Sequence, residues 1–272
     1  MPEPIKSLRH AACHVLNTPA AEEKVALTHL YYDLWQKNDV MSFRAEDEDA
    51  LSLPTRPARP RIPELRWPRD MPRRGGGESI SNRIALLHAL AHIELNAIDL
   101  AWDLIARFGH GMPRDFFTDW VRVADDEARH FTYLQNRLND FSSSYGDLPA
   151  HDGLWQTAID TSRDVLGRLA VVPLVLEARG LDVTPDTVQR MQKFDDHTTA
   201  ALLHEIYEDE IRHVRAGHKW FCHICQQRNL TPAETYQQKV RTYFKGKLRA
   251  PFNTVARKEA GLSEEYYQPL VI

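Results

Sequence analysis

The sequence has few of the features that mark secreted or membrane-bound proteins. Its 272 residues include only three cysteines, too few for a disulfide framework. No apolar run approaches the length of a membrane span. The first residues, Met1-Pro2-Glu3-Pro4, lack the apolar stretch of a signal peptide. We therefore expect a chain that works in a reducing cytoplasm and has no membrane partner.

The alternation of apolar and polar residues that marks strands is also absent. Apolar residues instead recur at three-to-four spacing, which predicts amphipathic helices. The four longest are expected at about 80–108, 114–140, 154–179 and 196–228, and Pro173 should kink the third of them. The fold class predicted from this pattern is all-α.

The segments on either side of these helices differ in composition. Residues 6–37 predict two short helices, with Thr18 as N-cap and Pro19 at the first helical position of the second. Residues 41–79 are rich in proline and predict an extended wrap along the helices. The tail from residue 230 is expected to be irregular apart from a helical turn or two.

The predicted organisation is one structural domain with three parts. These parts are residues 1–79, the helical bundle 80–228 and the tail 229–272. Within the bundle, the polar linker 142–153 has twelve residues, which at about 3.3–3.6 Å each could reach roughly 40 Å and return along the bundle as a long crossover. A short helix is expected from Thr184-Pro185 through Phe194.

One five-residue phrase occurs twice and carries the chemistry of the sequence. It is Asp126-Glu127-Ala128-Arg129-His130, and again Asp209-Glu210-Ile211-Arg212-His213. On a helix, Glu-x-x-His places a carboxylate and an imidazole on one face. Each phrase falls on the apolar stripe of its helix, where a carboxylate is costly unless it is paired or binds a metal.

A further glutamate lies on the apolar stripe 33 residues before each motif glutamate, namely Glu94 and Glu177. All members repeat at one offset of 83 residues, from 94 to 177, 127 to 210 and 130 to 213. Four carboxylates and two histidines form the ligand set of a dinuclear metal site in a four-helix bundle. The alternative is a bundle with buried glutamate–arginine pairs that use Arg129 and Arg212.

This ligand set indicates which metals would bind. Four carboxylates can neutralise two metal ions, and one imidazole per ion leaves positions open for water or dioxygen. Such donors suit iron, manganese or a mixed pair of the two more than they suit copper or zinc. Metal-bound histidines usually donate their second N–H to a carboxylate, so we expect Asp209 to serve His130 and Asp126 to serve His213.

Other candidate groups are weaker. Tyr133 and Tyr207 lie within one helical turn of predicted ligands and could support the site or carry a radical, although ordinary packing is favoured. His88 and His92 are expected to be packing or surface histidines. A zinc site is disfavoured in the cysteine- and histidine-bearing segment because it lacks a second cysteine pair; its members are His218, Cys222, His223 and Cys225.

Positive charge is concentrated in two segments, although the formal net charge is −4. Residues 55–75 contain seven arginines, and residues 239–249 contain five basic residues without an acidic one. Such clusters could bind RNA. The favoured interpretation is that they are solvated arms that pair with acidic groups of the core.

The motif pattern resembles the ferritin-like di-iron carboxylate superfamily over roughly 80–228. The segments 93–103 and 125–131, with Pro251-Phe252-Asn253 and Ala256-Arg257 of the tail, are similar to bacterial family 455 of the domains of unknown function. The resemblance implies a ferritin-like four-helix bundle. It also implies that Glu94 and Glu177 are terminal ligands and that Glu127 and Glu210 bridge the metals.

Three functions follow as hypotheses. The first is a di-iron oxidase or monooxygenase that uses dioxygen on an unknown small-molecule substrate; a variant is a hydroxylase of modified RNA. The second is non-enzymatic binding or storage of iron, and the third is a metal-stabilised structural protein. Assembly into a homo-oligomer is compatible with each of them.

Overall fold

The structure is a computed structural model that describes residues 7–37, 43, 52–66, 70–71 and 78–271. The described residues are mostly helical, which confirms the all-α prediction. The chain divides into two compact units, Met1–Trp155 and Gln156–Ile272.

Unit 1 contains four main helices. They are α1 (Leu8–Asn17), α2 (Ala21–Gln36), α3 (Ile80–Phe108) and α4 (Arg114–Asp140). The predicted start of α2 is wrong by two residues. Its N-cap is Ala20, while the Thr18 hydroxyl donates to the His14 carbonyl at the end of α1. A fifth helix, α5 (Gly153–Asp160), is shorter than these four; it begins in unit 1 and ends in unit 2.

Helices α3 and α4 pack against each other, and their predicted bounds are confirmed. The Ser79 hydroxyl caps α3 by accepting from the backbone N–H of Asn82. Gly109 is the C-cap of α3, and a larger residue would not fit there because its β-carbon would lie 2.7 Å from the ring of Phe117. Helix α2 packs on α4, and the Trp102 indole of α3 donates to Thr28 of α2. These contacts fix the two helices that carry the first predicted half-site.

The described part of the proline-rich segment lies along unit 1. The backbone N–H of Ala58 donates to the Leu16 carbonyl, and the Trp155 indole donates to the Thr55 carbonyl. A parallel pair of two-residue strands, β1 (Leu65–Arg66) and β2 (Ala150–His151), joins the segment to the 142–153 linker. No strand pattern predicted this pair. Trp67 and Gly75-Gly76-Gly77 belong to the predicted wrap but lie outside the described residues.

Helix α3 is long and apolar enough to cross a membrane by length and composition alone. However, 67% of its most apolar stretch is buried, and it carries the buried acids Glu94, Asp99 and Asp103. These are properties of a core helix, so its apolar character is not evidence for a membrane span.

Unit 2 contains the remaining helices and the tail. They are α6 (Val165–Val171), a π-helix (Val172–Glu177), α7 (Ala178–Lys193), α8 (His197–Gln227), α9 (Pro232–Tyr243), α10 (Thr254–Glu259) and α11 (Glu264–Tyr267). Helix α8 agrees with its prediction to within one residue at each end. Its N-cap is Asp196, which accepts from the backbone N–H of Thr199.

The third predicted helix, 154–179, is wrong in three respects. It is interrupted between α5 and α6, and Pro173 produces a π-helix instead of a simple kink. The helical chain also continues through Gly180 and Pro185 as α7, where a stop and a new start were expected. Proline removes an N–H donor from the helical ladder, and widening the turn is one way in which a helix accommodates that loss.

The tail is more regular than predicted. Helix α9 has twelve residues, and Pro232 occupies one of its first positions, where proline is tolerated. Tyr236 and Val240 lie on its buried face. The tail is therefore a packed part of unit 2, with three α-helices and a 3₁₀ helix (Gln268–Leu270) in its described residues.

Candidate metal centre

The first half-site is built by α3 and α4 in unit 1. Glu94 is 3% exposed, and Glu127 and His130 are fully buried. Each offers one ligand atom, and these atoms lie within 4.8 Å of one another. His130 Nδ1 lies 3.4 Å from Glu127 Oε2 and 3.6 Å from Glu94 Oε2. The structure thus brings together three of the predicted ligands, and the carboxylate–histidine cluster could hold a metal ion.

The electrostatics of this cluster fit a cation. Burial, and then the negative charge of Glu127, raises the pKa of Glu94 to about 8, while His130 acts in the opposite direction. Buried carboxyl groups side by side disfavour ionisation unless positive charge compensates them. A metal ion would supply that charge, and it would displace a proton on binding.

The second half-site lies in unit 2. Glu210 and His213 are on α8, with His213 Nδ1 3.8 Å from Glu210 Oε2, and His213 is 1% exposed. Glu177 is the last residue of the π-helix and is half-buried. The second Glu-x-x-His motif therefore repeats the geometry of the first. The assignment of all six residues to one centre stays a prediction.

The two motif aspartates are buried and lie beside arginines. Asp126 accepts from Arg129 at 2.6 Å, and Asp209 forms the corresponding pair with Arg212. Each motif arginine thus pairs with the aspartate three residues before it. Whether Asp126 and Asp209 also orient the histidines of the opposite half stays a prediction.

The two tyrosine candidates make ordinary packing contacts. Arg129 lies over the ring of Tyr133, with 5.8 Å from its guanidinium carbon to the ring centroid. The Tyr207 hydroxyl accepts from Asn253 Nδ2 at 3.0 Å, and burial raises the pKa of Tyr207. These contacts favour the packing interpretation over a radical role.

The cysteine and histidine residues near the end of α8 do not form a metal site. His218 Nε2 lies 3.4 Å from Cys222 Sγ and 3.1 Å from the Tyr266 hydroxyl. In the part of the chain that the structure describes, no group of three or more cysteine, histidine or acidic ligand atoms includes them. The zinc alternative is not supported. His88 and His92 are buried, as expected for packing residues.

Several residues of the basic segments pair with acids in the same unit. Arg56 pairs with Asp152, Arg59 with Asp99, Arg66 with Glu64, Lys239 with Asp164, and Lys245 with Asp160. These basic residues thus have acidic partners, and whether either segment binds RNA stays a prediction. Arg69, Arg73 and Arg74 lie outside the described residues.

The residues that contact the π-helix from the tail carry no signal in the local sequence pattern. The Tyr236 hydroxyl donates to the Leu174 carbonyl, and Arg257 Nη2 donates to the Ala178 carbonyl. Pro173 on an apolar stripe was a signal for disturbed backbone bonding. The side chains that donate to these two carbonyls, however, come from the tail, more than 60 residues away along the chain for Tyr236.

The comparisons agree on one family. The model described as "Protein of unknown function (DUF455)" matches residues 17–268. A protein of Haemophilus influenzae, described as "Uncharacterized protein", is 36% identical over 211 residues, which cover 75% of this chain and 73% of that protein. No solved structure matches the chain. From the extent of these matches, the chain belongs to the DUF455 family of proteins of unknown function.

Proposed function

We propose that this protein holds two metal ions, most favourably iron, at a single carboxylate-bridged centre. Six residues would supply the ligands, namely Glu94, Glu127, His130, Glu177, Glu210 and His213. The observation that carries the proposal is the buried cluster of Glu94, Glu127 and His130 in unit 1. Its matched counterpart in unit 2 and the constant 83-residue offset support one centre with two related halves.

The donor set determines the division of roles. Carboxylate oxygen and imidazole nitrogen are suitable ligands for iron and manganese. By analogy with the ferritin-like superfamily, Glu94 and Glu177 would each serve one ion, and Glu127 and Glu210 would bridge the two. Four helices in a ferritin-like bundle would provide these positions.

The proposed activity is that of an oxidase or monooxygenase. When bound, a pair of iron ions supplies the electrons that activate dioxygen for attack on a small-molecule substrate. The chain's own part is to bind the ions in a site shielded from water and to keep the histidines oriented. Asp126 and Asp209 are suitably placed along the chain to orient the histidines.

Metal analysis of aerobically purified protein tests the centre. We expect about two metal ions per chain for a dinuclear site, and less than one in Glu127→Ala. The exposed Glu208, two residues before Glu210 on α8, provides a control in which Glu208→Ala keeps both ions. A wild-type content below one ion per chain, or full content in Glu127→Ala, would refute the two-metal centre.

Glu210→Ala distinguishes one shared centre from two separate sites. In a shared centre, Glu127→Ala and Glu210→Ala should each remove both ions, since each carboxylate bridges the pair. In separate sites, each variant would lose only the ion of its own half. Magnetic coupling between the two ferric ions, seen as loss of their EPR signal, provides an independent measurement.

Oxygen uptake by the reduced protein tests the activity. We expect wild-type protein to consume dioxygen when a chemical reductant is supplied, and Glu127→Ala to consume none above background. Iron storage would instead give a large assembly that accumulates many more than two irons per chain. Size-exclusion chromatography with iron analysis separates these outcomes.

A further inference from the structure

The π-helix in unit 2 has an unusual position for an irregular turn. It covers Val172–Glu177, and its first four residues are buried. Its final residue is the predicted ligand Glu177. π-Helical turns are rare, occur mostly as single turns inside α-helices, and are frequent at functional sites. A widened turn changes where every later side chain points, so the direction of Glu177 depends on how the turn is maintained.

A hydroxyl from the tail supports the middle of this turn. Tyr236 of α9 is fully buried, and its hydroxyl donates to the Leu174 carbonyl at 3.1 Å. A carbonyl oxygen can accept two hydrogen bonds, and a buried polar group left unsatisfied costs about 1–3 kcal/mol. Tyr236 supplies one of these hydrogen bonds from outside the helix.

A guanidinium group from the tail supports the end of the turn. Arg257 of α10 is 1% exposed, and its Nη2 donates to the carbonyl of Ala178, the residue after Glu177. The same group binds both carboxylate oxygens of Asp182 at 2.8 Å. Stacking on the rings of Phe252 and Tyr267 completes its environment. The guanidinium group thus links α10 to the end of the π-helix and to the first turns of α7.

Helix α8 approaches the other side of the turn at a glycine. A β-carbon on Gly217 would lie 2.5 Å from Cβ of Pro173. Gly217 lies one helical turn beyond His213 on α8. The helix that carries the second motif therefore contacts the π-helix near the first residues of the π-helix. The absence of a side chain at Gly217 therefore allows α8 to approach the ring of Pro173 this closely.

From these contacts we infer that Tyr236 and Arg257 are positioning residues for Glu177. They hold the carbonyls of the π-helix and so keep Glu177 in the orientation that binds one of the two metal ions. The inference rests on the proposed dinuclear centre. It makes the tail, otherwise remote from the ligands along the chain, a part of the metal-binding structure.

A cobalt(II) titration of the metal-free protein tests the inference. Tyr236→Phe removes one hydroxyl and keeps the ring. Because supporting residues typically contribute 10–100-fold to metal affinity, we expect one of the two ions to bind about 10-fold more weakly, while the other is unchanged. The visible spectrum of the weakened ion should also change. Arg257→Lys, which keeps the charge but loses the fork, should affect the same ion.

Two controls separate positioning from general stability. Val240→Ala removes buried apolar atoms from the same helix α9 and should lower stability without changing either affinity. Gln237→Ala removes an exposed contact to the Glu265 carbonyl and should change neither property. If Val240→Ala weakens the same ion as Tyr236→Phe does, the effect is one of stability and the inference is wrong.

The outcomes also separate this inference from the proposed function. Wild-type protein that fails to bind two cobalt ions refutes the dinuclear centre, and the inference with it. Wild-type protein that binds two ions, with Tyr236→Phe and Arg257→Lys titrating identically to it, refutes the positioning role alone.

Discussion

Arg59 and Asp99 form an ion pair that joins the proline-rich segment to the middle of α3. The distance from Arg59 Nη2 to Asp99 Oδ2 is 2.9 Å, and the side chain of Asp99 is fully buried. Its other oxygen pairs with the equally buried Lys24 of α2. One carboxylate therefore pairs with two cations from two different segments, and it connects both of them to the helix that carries Glu94.

Asp99→Asn should be strongly destabilising. Removing one member of a buried ion pair leaves uncompensated charge and costs about 3–5 kcal/mol, and here two cations lose their partner. Lys24→Met should cost less, since Asp99 keeps Arg59 as its partner. Urea unfolding of both variants gives the comparison. Equal losses would mean that Arg59 does not compensate Asp99 in the folded protein.

Two glycines of unit 2 should respond in opposite ways to alanine. At Gly217 the new methyl group would lie within 2.5 Å of Pro173, and overpacking of this kind costs about 1–3 kcal/mol. At Gly180, in α7, a β-carbon meets nothing within 4 Å, so the better helix propensity of alanine should add about 0.5–1 kcal/mol. Thermal unfolding measures both changes.

The two glycine substitutions also test how closely α8 packs against the π-helix. If Gly217→Ala is as stable as wild type, α8 does not approach Pro173 as closely as the structure shows. Gly180→Ala serves as the matched helical control, because it changes propensity without introducing a contact.

Asp164 should contribute stability that is lost in acid. Burial acts to raise its pKa, but hydrogen bonds from Lys239 and from the backbone N–H of Gly167 outweigh burial and lower it below the ordinary 3.8. The folded state then binds fewer protons than the unfolded state in the acid range. The contribution is present above the unfolded pKa and disappears as the pH falls through the folded one.

Asp164→Asn isolates this charge effect, because asparagine still caps α6. We expect the variant to be less stable than wild type at neutral pH by up to about 1 kcal/mol, with the difference vanishing in strong acid. Asp160→Asn is the control, since its partner Lys245 is 81% exposed and the pair should contribute less. A difference that grows as the pH falls would contradict the assignment.

The parts of the fold that the sequence predicted well are those where several local signals agree. The bounds of α3 and α4 follow from an apolar stripe that ends at Gly109 and resumes after Pro113. The first half-site followed in the same way, since Glu94, Glu127 and His130 stand on faces where apolar residues are expected. Local periodicity is sufficient for such features because it determines which face is buried.

The parts that were predicted wrongly depend on distant partners. Pro173 indicates a disturbed helix, but its form depends on the hydroxyl of Tyr236 and the close approach of Gly217. Pro185 was read as a helix start, whereas α7 runs through it. The tail from residue 230 was predicted to be irregular, although its Pro232 also suits the first turn of a helix. At Pro173 tertiary packing, which the local pattern does not contain, decided the outcome, whereas at Pro232 a local signal pointed to a helix start.

Glu127→Gln should separate stability from metal binding. The negative charge of Glu127 is, after burial, the main cause of the raised pKa of Glu94, so the metal-free protein carries a repulsion that glutamine removes. We expect the metal-free variant to gain on the order of 1 kcal/mol. Because glutamine cannot bridge two cations as a carboxylate does, metal content should fall below one ion per chain. Calorimetry in chelator, beside metal analysis, measures both. A variant that is less stable without metal, or one that keeps two ions, would show that Glu127 is a structural residue and not a ligand.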